Sequence, residues 1–145
     1  MVYTTRKNPA DALREQGQLR VETQGSSMQP LLKSGRNTVH LRALEGEPAL
    51  YDVVLFRRRD GSFVLHRIIG AENGTYTLLG DHQTQPESGI ARGQILGRMA
   101  GYYTGERYRA CSAVPYRLYV RAWCGTLPLR RLWAGVWRRL GGSTQ

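Results

Sequence analysis

Between Leu19 and Met99 the apolar residues fall in short runs: Leu19-Arg20-Val21-Glu22-Thr23, Thr38-Val39-His40-Leu41, Val53-Val54-Leu55-Phe56, Phe63 to Ile69, Tyr76 to Leu79 and Ile95 to Met99. Short alternating runs bounded by turn residues are the pattern of half-buried strands, so each run predicts one. Arg59-Asp60-Gly61-Ser62 and Glu72-Asn73-Gly74-Thr75 predict hairpin turns, the second because Asn-Gly accepts the positive φ that such turns need. Many short strands closed by tight turns predict a mainly β fold, a small curled barrel or sandwich. Ahead of them, Asn8-Pro9-Ala10-Asp11 reads as a helix entry and Ala12-Leu13-Arg14-Glu15 as a short helix.

Beyond Ser112 the period lengthens. Tyr116, Tyr119, Val120, Trp123 and Leu127 follow helical spacing, and Pro128 suits the first turn of a second helix. In that helix Leu129, Leu132, Trp133, Val136, Trp137 and Leu140 form one stripe, while Arg130, Arg131, Arg138 and Arg139 take the remaining arc. The chain therefore divides into a β domain with a short leading helix over residues 1–112 and a basic amphipathic helical tail over 113–145. Such a stripe packs on the β domain or lies at a bilayer interface, with indoles and arginines at headgroup level. The pattern alone allows both.

A chain of 145 residues suits one core. Its net charge of +10 rests on 19 arginines against 2 lysines, side chains suited to phosphate or carboxylate pairing. No helix-turn-helix precedes the strands, so no specific nucleic acid is expected, and an anionic membrane surface is the candidate partner besides a peptide. Cys111 and Cys124 make no disulfide framework, and neither they nor the histidines show metal-ligand spacing; no metal or cofactor is expected. Neither an apolar leader core nor a run of 18 apolar residues occurs. The expected place is the cytoplasm, peripheral to a membrane if the tail seats on one.

The chemistry lies in three blocks: Gly25-Ser26-Ser27-Met28-Gln29-Pro30, Leu65-His66-Arg67-Ile68-Ile69 and Leu79-Gly80-Asp81. A hydroxyl becomes a nucleophile when a base removes its proton, and a neutral imidazole needs a partner on its second nitrogen to fix its tautomer. Each block also has a plainer reading. Ser27 could cap a short helix over Met28 to Lys33, His66 could be an ordinary strand histidine, and Gly80-Asp81 could be a strand-ending turn. His40 and His82 read as ordinary residues.

Together the blocks resemble the signal peptidase and LexA-like serine peptidases, whose G-x-S-M-x-P block carries the nucleophile. Leu31-Leu32-Lys33-Ser34-Gly35, Asp52-Val53-Val54-Leu55-Phe56, His66-Arg67-Ile68, Gly80-Asp81 and Ile95-Leu96-Gly97-Arg98 follow in that family's order. The resemblance implies the family's small curled β-fold, Ser27 as nucleophile, and a base at position 66, which lies 39 residues beyond Ser27. Many members hold a lysine there; here it is histidine, as in the endoplasmic-reticulum type. Gly25 stands where many signal peptidases carry an oxyanion-binding serine, so the backbone at Ser26 and Ser27 would bind the oxyanion. Met28 and Pro30 are taken to seat the substrate. The orienting acid is Asp81 by the family's Gly-Asp, or Glu87 at the second acidic position of the histidine-type members, or neither.

No Ala-Gly or Cys-Gly bond precedes Ser27, which argues against a self-cleaving repressor. The expected activity is a serine endopeptidase cutting an extended leader-like or signal-like peptide in trans. The alternative is a silent peptide- or membrane-binding module that kept the fold.

Overall fold

The computed structural model describes residues 8–140; residues 1–7, residues 141–145 and the side chains of Trp137, Arg138 and Leu140 lie outside that description. Helix α1 (Pro9–Gln16) leads into strands β1 (Gln18–Glu22), β2 (Asn37–Ala43), β3 (Val53–Arg57), β4 (Phe63–Glu72), β5 (Thr75–Leu79) and β6 (Glu87–Ala91). After a single 3₁₀ turn come β7 (Ile95–Thr104), β8 (Arg107–Ala110), α2 (Val114–Gly125) and α3 (Leu127–Leu140). The N-terminal entry forms as its residues require: Asn8 Oδ1 accepts the Ala10 N–H at 3.0 Å and Pro9 opens the first turn.

All strands belong to one antiparallel sheet, in the order β1-β2-β7-β3-β4-β5-β6. Strand β7 is its spine. It pairs β2 along one side, and on the other it pairs β3 near its start and β8 near its end. The expected mainly β architecture is present as a single open sheet, with β1, β6 and the short β8 as its edges among the described residues.

Apolar residues bury both faces. Val53, Leu55 and Leu65 join Leu13, Met28, Leu32 and Met99 on one side, while Val54, Phe56, Val64, Ile68, Leu78 and Ile95 pack on the other. That is why Val53 to Phe56 reads as an unbroken apolar run: a strand covered on both faces has no polar side to show. The two strands without an alternating signal have physical reasons for it. In β6 only Ile90 is buried and Gly89 sits at φ +73°, while β8 reads Arg-Tyr-Arg-Ala and faces water along most of its length.

One irregularity governs which residues share a face with His66. The Asn73-Gly74 turn, with φ of +51° and +75°, sets Glu72 across from Thr75, Ala71 from Tyr76 and Gly70 from Thr77. Between Ile68 and Gly70 the register then slips by one, so that Ile68 meets Leu78 and Arg67 meets Leu79. A bulge of this kind spends one extra residue of β4, Ile69, and so changes by one which residue of β5 each further residue of β4 meets.

The C-terminal helices also form where spacing placed them, with Pro128 in the first turn of α3. Their orientation decides the question left open by the pattern. Leu127, Arg130 and Ala134 are half-buried, whereas Leu129, Leu132, Trp133 and Val136 are 59, 65, 63 and 41% exposed. The described part of the apolar stripe faces away from the sheet, which rules out packing of that stripe on the β domain. What fastens α3 instead is polar: Arg130 donates to the carbonyls of Asp81 (2.9 Å) and Trp123 (2.8 Å) and stacks 3.9 Å over the Trp123 ring. Leu55→Ala should therefore cost about 2–5 kcal/mol in chemical denaturation, whereas Leu132→Ala should stay within about 0.5 kcal/mol of the parent. A large loss from Leu132→Ala would refute this placement of α3.

Candidate active site

The nucleophile block lies in the loop between β1 and β2, and two buried polar residues buckle that loop shut. Thr23 Oγ1 donates to the carbonyls of Lys33 (2.8 Å) or Asn37 (3.0 Å), Asn37 Oδ1 accepts the Lys33 N–H at 2.7 Å, and Asn37 Nδ2 reaches Thr104 Oγ1 at 2.9 Å. Residues 28–33 form successive turns, with Leu32 N–H bonding Met28 O at 2.9 Å, and no helix follows Ser27 for it to cap. Ser27 itself is 8% exposed, and its carbonyl accepts the His82 N–H at 2.8 Å. The loop is thus stitched directly to the end of β5.

His66 lies on β4, across from Val54, and is 1% exposed. The register that pairs Arg67 with Leu79, carried one residue on, sets Gly80 opposite His66, and cross-strand partners share a face. A Cβ at Gly80 would lie 2.6 Å from the Ser27 carbonyl oxygen and 3.0 Å from Ser27 Cβ. The serine therefore occupies, on the imidazole's own face, the room that any side chain at position 80 would fill. On the neighbouring strand Glu87 pairs with Leu78, which puts it on that face as well.

Glu87 is the acid beside His66. Its Oε1 stands 3.4 Å from His66 Nδ1, and Arg58 grips the same carboxylate through Nε at 2.9 Å and through Nη2. The Arg58 guanidinium holds the Glu87 carboxyl below its usual range. Both ring nitrogens of His66 are buried without a hydrogen-bond partner among the described residues. An ordinary core histidine is satisfied by its surroundings. This one is held in place by packing, including Phe56 with ring centres 5.9 Å apart.

Asp81, the first choice from sequence, points elsewhere. One residue beyond Gly80, it takes the opposite face and meets Arg67, one residue beyond His66. Arg67 Nε and Nη2 each donate to an Asp81 oxygen at 2.8 Å, with the two side chains only 1 and 2% exposed. Tyr119 Oη adds a bond of 3.2 Å to the same carboxylate. The arrangement corrects the assignment of Asp81 as the orienting acid: its carboxylate belongs to a structural ion pair. Met28 is corrected too, because its side chain is fully buried in the core and no substrate can touch it. Ser26 and Pro30 are exposed, Pro30 following a cis peptide bond. His82 is exposed and serves through its main chain, while His40 bonds Tyr108 and Gln18 at 3.0 Å each, both as ordinary residues. Sequence reasoning missed Arg58 and Arg67, since an arginine in a chain this basic carries no signal of its own. Among the described residues no cluster of His, Cys, Asp and Glu could hold a metal ion.

Burial pushes the His66 imidazole down to about 4, with Glu87 opposing the fall and Arg58 adding to it. The unfolded ring titrates near ~6.5. Between those values the unfolded chain takes a proton that the native chain refuses, so stability falls as pH drops from about 6.5 towards 4, by up to about 1.4 kcal/mol per unit. Melting curves of the parent and His66→Gln should diverge over this window, the variant lacking that component; parallel curves would contradict the buried neutral ring.

The two acids separate by what they break. Asp81→Asn leaves a buried guanidinium unpaired and should cost about 3–5 kcal/mol, whereas Glu87→Gln, on a partly exposed pair, should cost under about 1 kcal/mol. Equal melting points for the two variants would refute the division. Among family models, curated proteins and solved structures, none matches this chain.

Proposed function

We infer that this protein is a serine endopeptidase of the signal peptidase-like kind, cutting an extended peptide in trans through Ser27 and His66. The observation that carries the reading is the buried imidazole of His66, whose ring nitrogens have no hydrogen-bond partner among the described residues, on the sheet face against which Ser27 packs at Gly80 and beside the Glu87 carboxylate. Burying two polar nitrogens without partners costs free energy. A site that must take up and release a proton has reason to bear that cost.

The reading gives each residue a step. In the base form His66 accepts the Ser27 hydroxyl proton on Nε2 as Oγ attacks the peptide carbonyl, and the resulting imidazolium is stabilised by Glu87 at Nδ1. The ring then gives that proton to the departing amine, and a water repeats the sequence to free the acyl group. Backbone N–H groups at Ser26 and Ser27 take the oxyanion, as no hydroxyl stands at Gly25 to help. Arg58 contributes indirectly by fixing the Glu87 carboxylate. The substrate adds as an extended strand held by main-chain hydrogen bonds, with exposed Pro30 rather than Met28 beside it. The curled β-fold implied by the resemblance accords with a single sheet that brings its β1–β2 loop onto the end of β5.

A fluorophosphonate probe should label Ser27 in the parent, and labelling should vanish in Ser27→Ala and His66→Ala. Glu87→Gln should slow it by orders of magnitude, up to ~10⁴, and Gly80→Ala should abolish it by displacing the serine. An unlabelled, folded parent would mark a silent binding module instead.

The acid limb of the labelling rate should lie near pH 4, well below the usual histidine range, because only the neutral ring accepts the proton. Removing the negative charge in Glu87→Gln should move that limb lower still. A limb that stays near ~6.5 in both proteins would refute His66 as a buried base.

A further inference from the structure

We propose that the α2–α3 segment is an in-plane anchor for an anionic lipid surface. Helix α3 is hung from the sheet by Arg130 and Leu127, and this leaves Leu129, Leu132, Trp133 and Val136 outward, each at least 41% exposed. On the outer side of α2, Val114 and Leu118 are 64 and 60% exposed, with Arg117 and Arg121 beside them. An apolar helical face of this size is left in water only when something covers it.

The charge names the occupant. From Arg107 to the end the chain carries eight arginines and no Asp or Glu. A second copy of the chain would bring an equally basic segment against this one, so self-association opposes like charges. Nucleic acid would satisfy the arginines and leave the stripe wet. A bilayer with anionic headgroups supplies both an apolar slab for the leucines and Trp133 and negative charge for Arg117, Arg121 and Arg139, which are exposed. None of the helices among the described residues is long and apolar enough to cross a membrane, so the segment lies in the interface plane. Anchoring of this kind is independent of the Ser27 chemistry.

The test uses the full chain with pure phosphatidylcholine vesicles and with vesicles that also contain phosphatidylglycerol, read by co-sedimentation and by the blue shift of tryptophan emission. Capture should require phosphatidylglycerol and weaken as salt rises, since screening acts over ~8 Å at physiological ionic strength. Arg121→Gln and Arg139→Gln should each weaken it about fivefold. The double change Leu132→Glu with Trp133→Glu should weaken it by about tenfold or more at an unchanged melting temperature, both side chains being exposed. Three results would overturn the proposal: no capture by phosphatidylglycerol vesicles, capture that survives the double change, or a stripe-dependent dimer in sedimentation velocity that excludes vesicles.

Discussion

The ion pair between Arg67 and Asp81 is the fixed point of this molecule. Both side chains are almost wholly buried, and a buried charge is tolerable only when its partner and its remaining hydrogen bonds are supplied. The supply comes from everywhere at once. Arg67 Nη1 also donates to the Tyr51 carbonyl at 2.9 Å and to Tyr116 Oη at 3.3 Å, Tyr119 donates to the Asp81 carboxylate, and Trp123 and Arg130 donate to its carbonyl. One pair therefore joins β4, the end of β5, the loop before β3 and both terminal helices. The next residue along, His82, holds the Ser27 carbonyl. The Ser27 loop is positioned against a point that cannot shift without stranding a charge.

Adjacent residues on β4 meet opposite demands. Arg67 has its hydrogen-bonding capacity taken up by the fold, while His66, on the other face, has none of it taken up among the described residues. Alternation of side chains along a strand lets two neighbours sit in unrelated environments. The structural pair needs deep burial and full satisfaction. The proposed base combines burial with one carboxylate 3.4 Å away, itself anchored by Arg58.

Much of this was legible along the chain. Six strands, both hairpin turns, the helix entry at Asn8-Pro9 and the Pro128 start of α3 follow from local rules of period, turn chemistry and capping. The serine and histidine blocks were legible as chemistry, and so was the short list of acids. What was not legible is long-range register. Counting down from the Asn73-Gly74 turn without interruption would set His66 across from Asp81, the sequence-based preference. The slip between Ile68 and Gly70 changes that partner to Gly80 and sends Asp81 to the far side. No local propensity announces a bulge in a run as apolar as Phe63 to Ile69. The burial of Met28 was hidden for a similar reason: a residue inside a recognised block reads as part of the chemistry, yet the same loop must also fill the core beneath it. The outward stripe of α3 was ambiguous because amphipathicity states that a face is apolar and not what covers it.

The slip in β4 has an evolutionary consequence. A chain of this design that gained one residue between its histidine and the Asn-Gly turn, with the bulge kept, would set that histidine across from the Asp81 position while the order of its acidic residues stayed the same. Which residue lies across from the histidine is then a matter of strand length rather than of residue identity. Two descendants could differ in that assignment through a single inserted codon.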